Sequence, residues 1–195
     1  MSSRKANELQ RPTVAQMEAE LRRVRYRKQY ADTLRSTVYM LVLVAAIVLL
    51  AVVWLPVLRV SGDSMDHTLS AGDIVVARRT TDVHEGDLMI FSTVGRKTLI
   101  KRVIGMPGDV IEITEDGVVS VNGQTLNEYY VKDMALGECD IEFPFKVPGG
   151  RYFVMGDHRD VSLDSRNTAI GCVAPEQIIG CVAARIWPLE EIRKF

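Results

Sequence analysis

The chain of 195 residues is 47% apolar and 25% charged, with 24 basic against 25 acidic side chains. Those proportions exclude collagen-like, disordered and disulfide-scaffold proteins, and a net charge of −1 gives no overall basic field for nucleic acid. The charge is unevenly spread: residues 1–37 hold nine basic and four acidic groups, residues 59–195 fifteen and twenty-one.

Residues 13–36 read as a helix in which Val14, Met17, Leu21 and Val24 recur at 3, 4, 3 spacing. That spacing leaves two readings open for residues 14–28: a weak homodimer seam, or a solvated or membrane-surface helix. Arg22, Arg23, Arg25, Arg27 and Lys28 would attract anionic lipid head groups at about 1 kcal/mol each near the surface. From Val38 to Leu58 the chain carries no charge. A helix of that length spans roughly 31 Å, the thickness of a bilayer's hydrocarbon core. Tyr39 and Trp54 stand near its ends as interface aromatics do. The run is too long for a signal-peptide core and leads into Arg59-Val60-Ser61 rather than a small-x-small site, so it reads as an uncleaved anchor. Basic residues on its amino side predict a cytoplasmic N-terminus and an extracytoplasmic segment 59–195. The expected domains are therefore 1–37, a cytoplasmic basic helical segment; 38–58, a transmembrane anchor in the cell membrane; and 59–195, the extracytoplasmic domain.

Beyond Arg59, short apolar runs alternate with turn signals. Strands are expected at 74–79, 87–92, 98–104, 110–114, 118–121, 151–155 and 181–187, with hairpin turns at Asp116-Gly117 and Asn122-Gly123. A short helical turn fits Pro175-Glu176-Gln177. The fold class is mainly β, an antiparallel domain behind one N-terminal helix. Cys139, Cys172 and Cys181 are an odd set, so at least one is free; Cys172 and Cys181 either pair or serve as small buried hydrophobes. No phosphate loop, dinucleotide fingerprint or metal-ligand spacing occurs, so neither cofactor nor metal is expected.

Three segments stand out as polar chemistry in apolar surroundings: 61–73, which holds Ser64 between a Gly-Asp turn and a Met; 98–109, with Lys101 inside an apolar strand; and 155–166. From segment 98–109 alone, Lys101 either snorkels to water or turns into the core. In this order behind an anchor, the segments resemble the type I signal peptidases, membrane-bound Ser–Lys proteases, in their single-anchor Gram-positive form. Ser64-Met65-Asp66-His67-Thr68-Leu69 matches S-M-x-P-T-L except that His67 replaces proline. Gly86-Asp87 opens the next box. Lys101 to Asp109 matches K-R-x-x-G-x-P-G-D throughout, and Gly156 to Arg166 matches G-D-N-R-x-x-S-x-D-S-R with His158 for asparagine. The resemblance covers roughly residues 38–188.

The resemblance implies that Ser64 is the nucleophile and Lys101 the general base, with Ser162 holding the amine. Asp157, Arg159, Asp164 and Arg166 would form salt bridges in the site's walls. It implies pre-proteins as substrates, bound as an added strand beside Leu58–Ser61 and Leu99–Ile100. Shallow pockets from Val60, Met65, Leu69, Leu99 and Ile100 would select A-x-A sites. A serine hydroxyl needs a base, and lysine is one only when neutral; at an ordinary pKa near 10.4 roughly one in 2,500 is neutral at pH 7. Burial must lower that value, so the site should be apolar and free of nearby carboxylates. Some members draw a second oxyanion donor from a serine two positions before the nucleophile, and here that place is Gly62. Against this stand a Ser-His-Asp hydrolase using His67 or His158, which lacks a G-x-S-x-G elbow; a self-cleaving repressor, which would carry a DNA-binding segment in place of the anchor; and a non-catalytic tethered β module.

Overall fold

The computed structural model describes residues 13–93 and 95–195, with backbone alone for 51–54. It falls into two units divided between Ala51 and Val52. Residues 1–12 of the expected cytoplasmic segment lie outside the described residues, as does the Trp54 side chain.

The first unit is formed by helix α1, Val14–Trp54, which continues unbroken through the boundary expected at residue 37 and enters the second unit. Its start follows from Thr13, whose N–H donates to Gln16 Oε1 at 3.0 Å, one arm of a capping box. Side chains from Val38 to Leu50 are exposed on every face, and the helix reaches a mean hydropathy of 2.1 over its most apolar window, enough to cross a membrane. The seam residues Val14, Met17, Leu21 and Val24 are exposed too.

The helix stops short of Leu58. Pro56 cannot donate to a helical turn and disfavours helix in the residue before it. Val57–Arg59 instead form strand β1. The helix thus ends at Trp54, short of the boundary expected at 58, because Val57 and Leu58 pair into a sheet.

The remaining strands are β2 (Ile74–Arg78), β3 (Leu88–Ser92), β4 (Thr98–Gly105), β5 (Val110–Ile113), β6 (Val119–Val121), β7 (Gln124–Thr125), β8 (Phe145–Lys146), β9 (Phe153–Met155), β10 (Ile178–Trp187) and β11 (Arg193–Lys194). All pairings are antiparallel. A seven-stranded sheet runs β1-β2-β10-β3-β4-β9, with β11 added along β10, and a four-stranded sheet runs β7-β6-β5-β8. The fold is β-rich as expected, and each of the seven expected strands is present. The Pro175–Gln177 turn is a 3-10 helix, and Asn122-Gly123 turns the β6–β7 hairpin. Strands β1, β7, β8 and β11 had no expected counterpart.

Strand β3 shows how the core forms. Successive side chains leave opposite faces of a strand. Leu88 and Ile90 therefore pack with Val60, Met65, Leu69, Val75, Ala77 and Val182, while Met89 and Phe91 pack with Val103, Val154, Val173 and Cys181. A third cluster of Ile104, Ile111, Phe153, Met155 and Cys172 joins the two sheets' strands. Cys172 and Cys181 thus sit in different clusters, both buried, and all three cysteines are free. Phe153 is fully buried with its ring 5.7 Å from that of Phe145. Phe153→Ala is expected to lower the unfolding free energy by about 3–5 kcal/mol in denaturant titrations of the full chain.

Candidate active site

The loop 61–70 is a series of tight turns held from both ends. Asp66 N donates to Asp63 O at 2.9 Å and Leu69 N to Met65 O at 2.8 Å. Its base is closed by Val60 N to Asp73 O at 2.8 Å, and Asp73 is itself gripped by Arg185 Nη1 at 2.9 Å. Met65 and Leu69 are buried at 2% and 0% exposure and anchor the loop. Ser64, just before the first anchor, remains half-buried at the surface.

Lys101 comes from the middle of β4, a strand paired on both sides. It lies opposite Met89 of β3, and its neighbour Val103 lies opposite Val154 of β9. With strands on either side and the segments 61–70 and 156–166 nearby, its side chain is 2% exposed: it turns inward rather than snorkelling. The amine donates to Ser162 Oγ at 2.8 Å. Burial brings its pKa down to about 8, against an opposing pull from Asp164. Arg166 adds to the lowering, and Asp157 opposes it.

The expectation of a site free of carboxylates is therefore corrected. Asp164 and Asp157 both lie close enough to act on the amine, but each is tied to an arginine. Asp164 accepts from Arg166 Nη2 at 2.8 Å, Arg166 Nε at 2.9 Å, Gly156 N at 2.9 Å and Ser162 Oγ at 2.7 Å. Burial alone would raise this carboxyl, yet those donors hold it below the ordinary carboxylate range. A charged carboxylate only accepts, so the single proton of Ser162 must point to Asp164. Ser162 can then only accept from Lys101, and the lone pair of a neutral amine is left facing elsewhere.

The four expected salt-bridge residues do form buried pairs, with two partners that motif reading missed. Asp157 takes Arg102 Nε at 2.8 Å and Nη2 at 2.6 Å, and Thr68 Oγ1 at 2.5 Å, which ties the Ser64 loop to β4. Arg159 pairs with Glu128 through both terminal nitrogens, and both side chains are essentially inaccessible. Arg102 also lies 3.9 Å over the ring of Tyr130, whose hydroxyl donates to Glu128 at 3.0 Å. Arg102 was visible in the K-R box without a role; Glu128 sits in a loop with no local signal. Gly156 was also missed. A side-chain carbon there would meet the Ser64 carbonyl and Ser162, so only glycine lets the two segments approach.

A groove of about 130 Å³ runs beside Ser64, lined by Val60, Ser61, Met65, Leu99 and Ile100 among others. Four of the five expected pocket residues are there. Leu69 is not: it is fully buried against Val75 and Leu88, and that assignment is corrected to a core role. A larger cavity of about 560 Å³ opens beyond Thr68 and Arg102, and neither Ser64 nor Lys101 lines it. Gly62 has φ +88°, a conformation that side chains rarely adopt, so a serine there would be strained. His158 turns Nδ1 to the Asp63 carbonyl at 3.2 Å, while its backbone N–H donates to the Ser64 carbonyl at 3.1 Å.

A family model described as signal peptidase, peptidase S26, matches residues 32–187. The chain is similar to signal peptidase I P of Bacillus subtilis subsp. natto, with 36% identity over 146 residues, 69% of this chain and 78% of that protein. It is similar to signal peptidase IB of Staphylococcus aureus strain COL, with 34% identity over 153 residues, 69% of this chain and 78% of that protein. A solved signal peptidase I from Enterococcus faecalis V583 is 30% identical, aligns with 51% of this chain and 96% of its own, and has a TM-score of 0.40.

The buried pair Arg159–Glu128 gives a clear stability test. Glu128→Ala leaves an uncompensated guanidinium and is expected to destabilise by about 3–5 kcal/mol in chemical unfolding. The double variant Glu128→Ala/Arg159→Met should recover a large part of that loss.

Proposed function

Since the chain belongs to the signal peptidase family, peptidase S26, we propose that it removes signal peptides from exported pre-proteins by a Ser64–Lys101 mechanism at small-x-small sites. It is a serine endopeptidase, a hydrolase of peptide bonds. Ser64 Oγ attacks the scissile carbonyl while its proton passes to the neutral Nζ of Lys101. The new ammonium then protonates the departing amine, leaving an ester on Ser64. Water repeats the exchange: it gives a proton to Nζ, attacks the ester, and Ser64 recovers its hydrogen. The Ser64 N–H faces the developing oxyanion as one donor. Ser162 and Asp164 are positioning residues, which fix the direction of the amine.

The observation that carries this reading is the amine itself, 2% exposed and held by Ser162. With a pKa of about 8, roughly one lysine in eleven is neutral at pH 7, a gain of some two orders of magnitude over an exposed one. The groove supports the substrate class. β1 is an edge strand, paired with β2 alone, so an extended peptide can add main-chain bonds there. The narrow lining by Leu99 and Ile100 suits small side chains. The basic residues before the apolar run support an N-terminus in the cytoplasm, α1 crossing the bilayer through 38–54, and the β domain outside.

In a cleavage assay with a pre-protein bearing an A-x-A site, Ser64→Ala and Lys101→Ala should each lower kcat at least about a thousandfold. His158→Ala should retain much of the wild-type rate. A Lys101→Ala enzyme with normal turnover would rule out the dyad. The wild-type rate should rise with pH and level off above about 8, as the buried amine loses its proton; a flat profile from pH 5 to 9 would contradict a lysine base.

A further inference from the structure

His67 and His158 lie far apart in sequence, and they are the two positions where the chain departs from the motifs it otherwise matches. In the folded chain they meet. Their ring centroids are 6.3 Å apart, one edge towards the other with planes at 67°. His67 is exposed and His158 half-exposed.

Each ring is oriented by the backbone of the Ser64 turn. His67 Nδ1 is 2.8 Å from Asp66 O, and His158 Nδ1 is 3.2 Å from Asp63 O. A carbonyl only accepts, so in both rings Nδ1 carries the proton. In a neutral imidazole the lone pair then resides on Nε2. This is how metal-binding histidines are held, with the far nitrogen donating to a carbonyl that fixes tautomer and direction. His67 also adopts φ +77°, a conformation uncommon outside glycine, and such backbone persists where the surroundings hold it.

We propose that His67 Nε2 and His158 Nε2 form a two-imidazole site for a borderline divalent cation such as Zn²⁺, completed by water. Metal–nitrogen bonds of about 2.1 Å, with each ring centre about 1.2 Å behind its nitrogen, put two such centroids about 5.4 Å apart at the tetrahedral angle and about 6.6 Å apart when linear. The observed 6.3 Å falls within that span, so the ring separation is compatible with one shared ion. No preassembled group of three protein ligands exists among the described residues. The site is therefore a pair with open positions, suited to imidazole-preferring ions and poorly suited to Mg²⁺. The bound ion would cross-link the turn carrying Ser64 to the segment carrying Ser162. This site stands independently of the catalytic reading, since it needs neither nucleophile nor base.

The test uses the tag-free full-length protein in detergent, titrated calorimetrically with Zn²⁺, with Mg²⁺ as the comparison ion. The chain holds 3 histidines, so three single variants cover every imidazole. His67→Ala and His158→Ala should each weaken Zn²⁺ binding by at least about tenfold, the lower end of what even an outer-shell partner is worth. His84→Ala should bind as wild type, although His84 lies 3.9 Å from Asp82 and 3.8 Å from Asp87. Zn²⁺ should raise the Tm of wild type and His84→Ala and leave the other two unmoved. Metal-free Tm values equal to wild type would show that the variants fold. Zn²⁺ binding that survives both His67→Ala and His158→Ala, that vanishes in His84→Ala, or that is absent from wild type would overturn the site.

Discussion

The structure is organised around one unfavourable act, the burial of an amine. In water Lys101 would keep its proton; between β3, β9 and the 156–166 segment it holds it weakly. The native pKa of about 8 lies below the ordinary lysine value of 10.5. The unfolded chain therefore binds the proton more tightly, and the difference opposes folding below pH 8 by about 3 kcal/mol. That opposition fades as pH rises from 8 through 10.5, above which both states have lost the proton. An amine left on the surface would avoid this cost, but would be almost wholly charged at neutral pH.

Burial alone does not account for the amine's environment. Two carboxylates stand near it, and either one unpaired would draw the proton back. Arg166 on Asp164 and Arg102 on Asp157 answer that pull, and Arg166 itself disfavours a second cation. The same carboxylates organise the architecture. Asp164 joins Gly156 and Ser162, while Asp157 joins Thr68 of the Ser64 loop to Arg102 of β4. No buried side-chain nitrogen or oxygen among the described residues lacks a hydrogen-bond partner. The network that tunes the amine is also the one that places it.

Much of this was legible in sequence, for specific reasons. The strands with several apolar residues, such as β3 and β4, announced themselves because composition and flanking Gly-Asp turns agree there. Strands β7, β8 and β11 are two residues each and exist only through their neighbours, so no local pattern marks them. The helix ends before residue 58 although Val57 and Leu58 are as apolar as the segment they follow; Pro56 was the signal that separates them. Leu69 sat in a motif, and the motif could not say whether it faced a groove or the core. For Lys101, the strand pattern left both directions open, since only the presence of β9 and Ser162 on the far side decides it. Glu128 completes a buried pair across 31 residues of sequence, a distance at which no spacing rule operates.

The amine's protonation can be observed directly. In protein carrying ¹³C-labelled lysine, the Cε resonances are followed by NMR through a pH titration, with Lys101→Met used to identify the signal of interest. The account predicts that the resonance lost in Lys101→Met titrates with a midpoint near 8, while exposed lysines titrate near their ordinary value. A Lys101 midpoint at or above 10 would show a fully charged amine at neutral pH and would contradict the account.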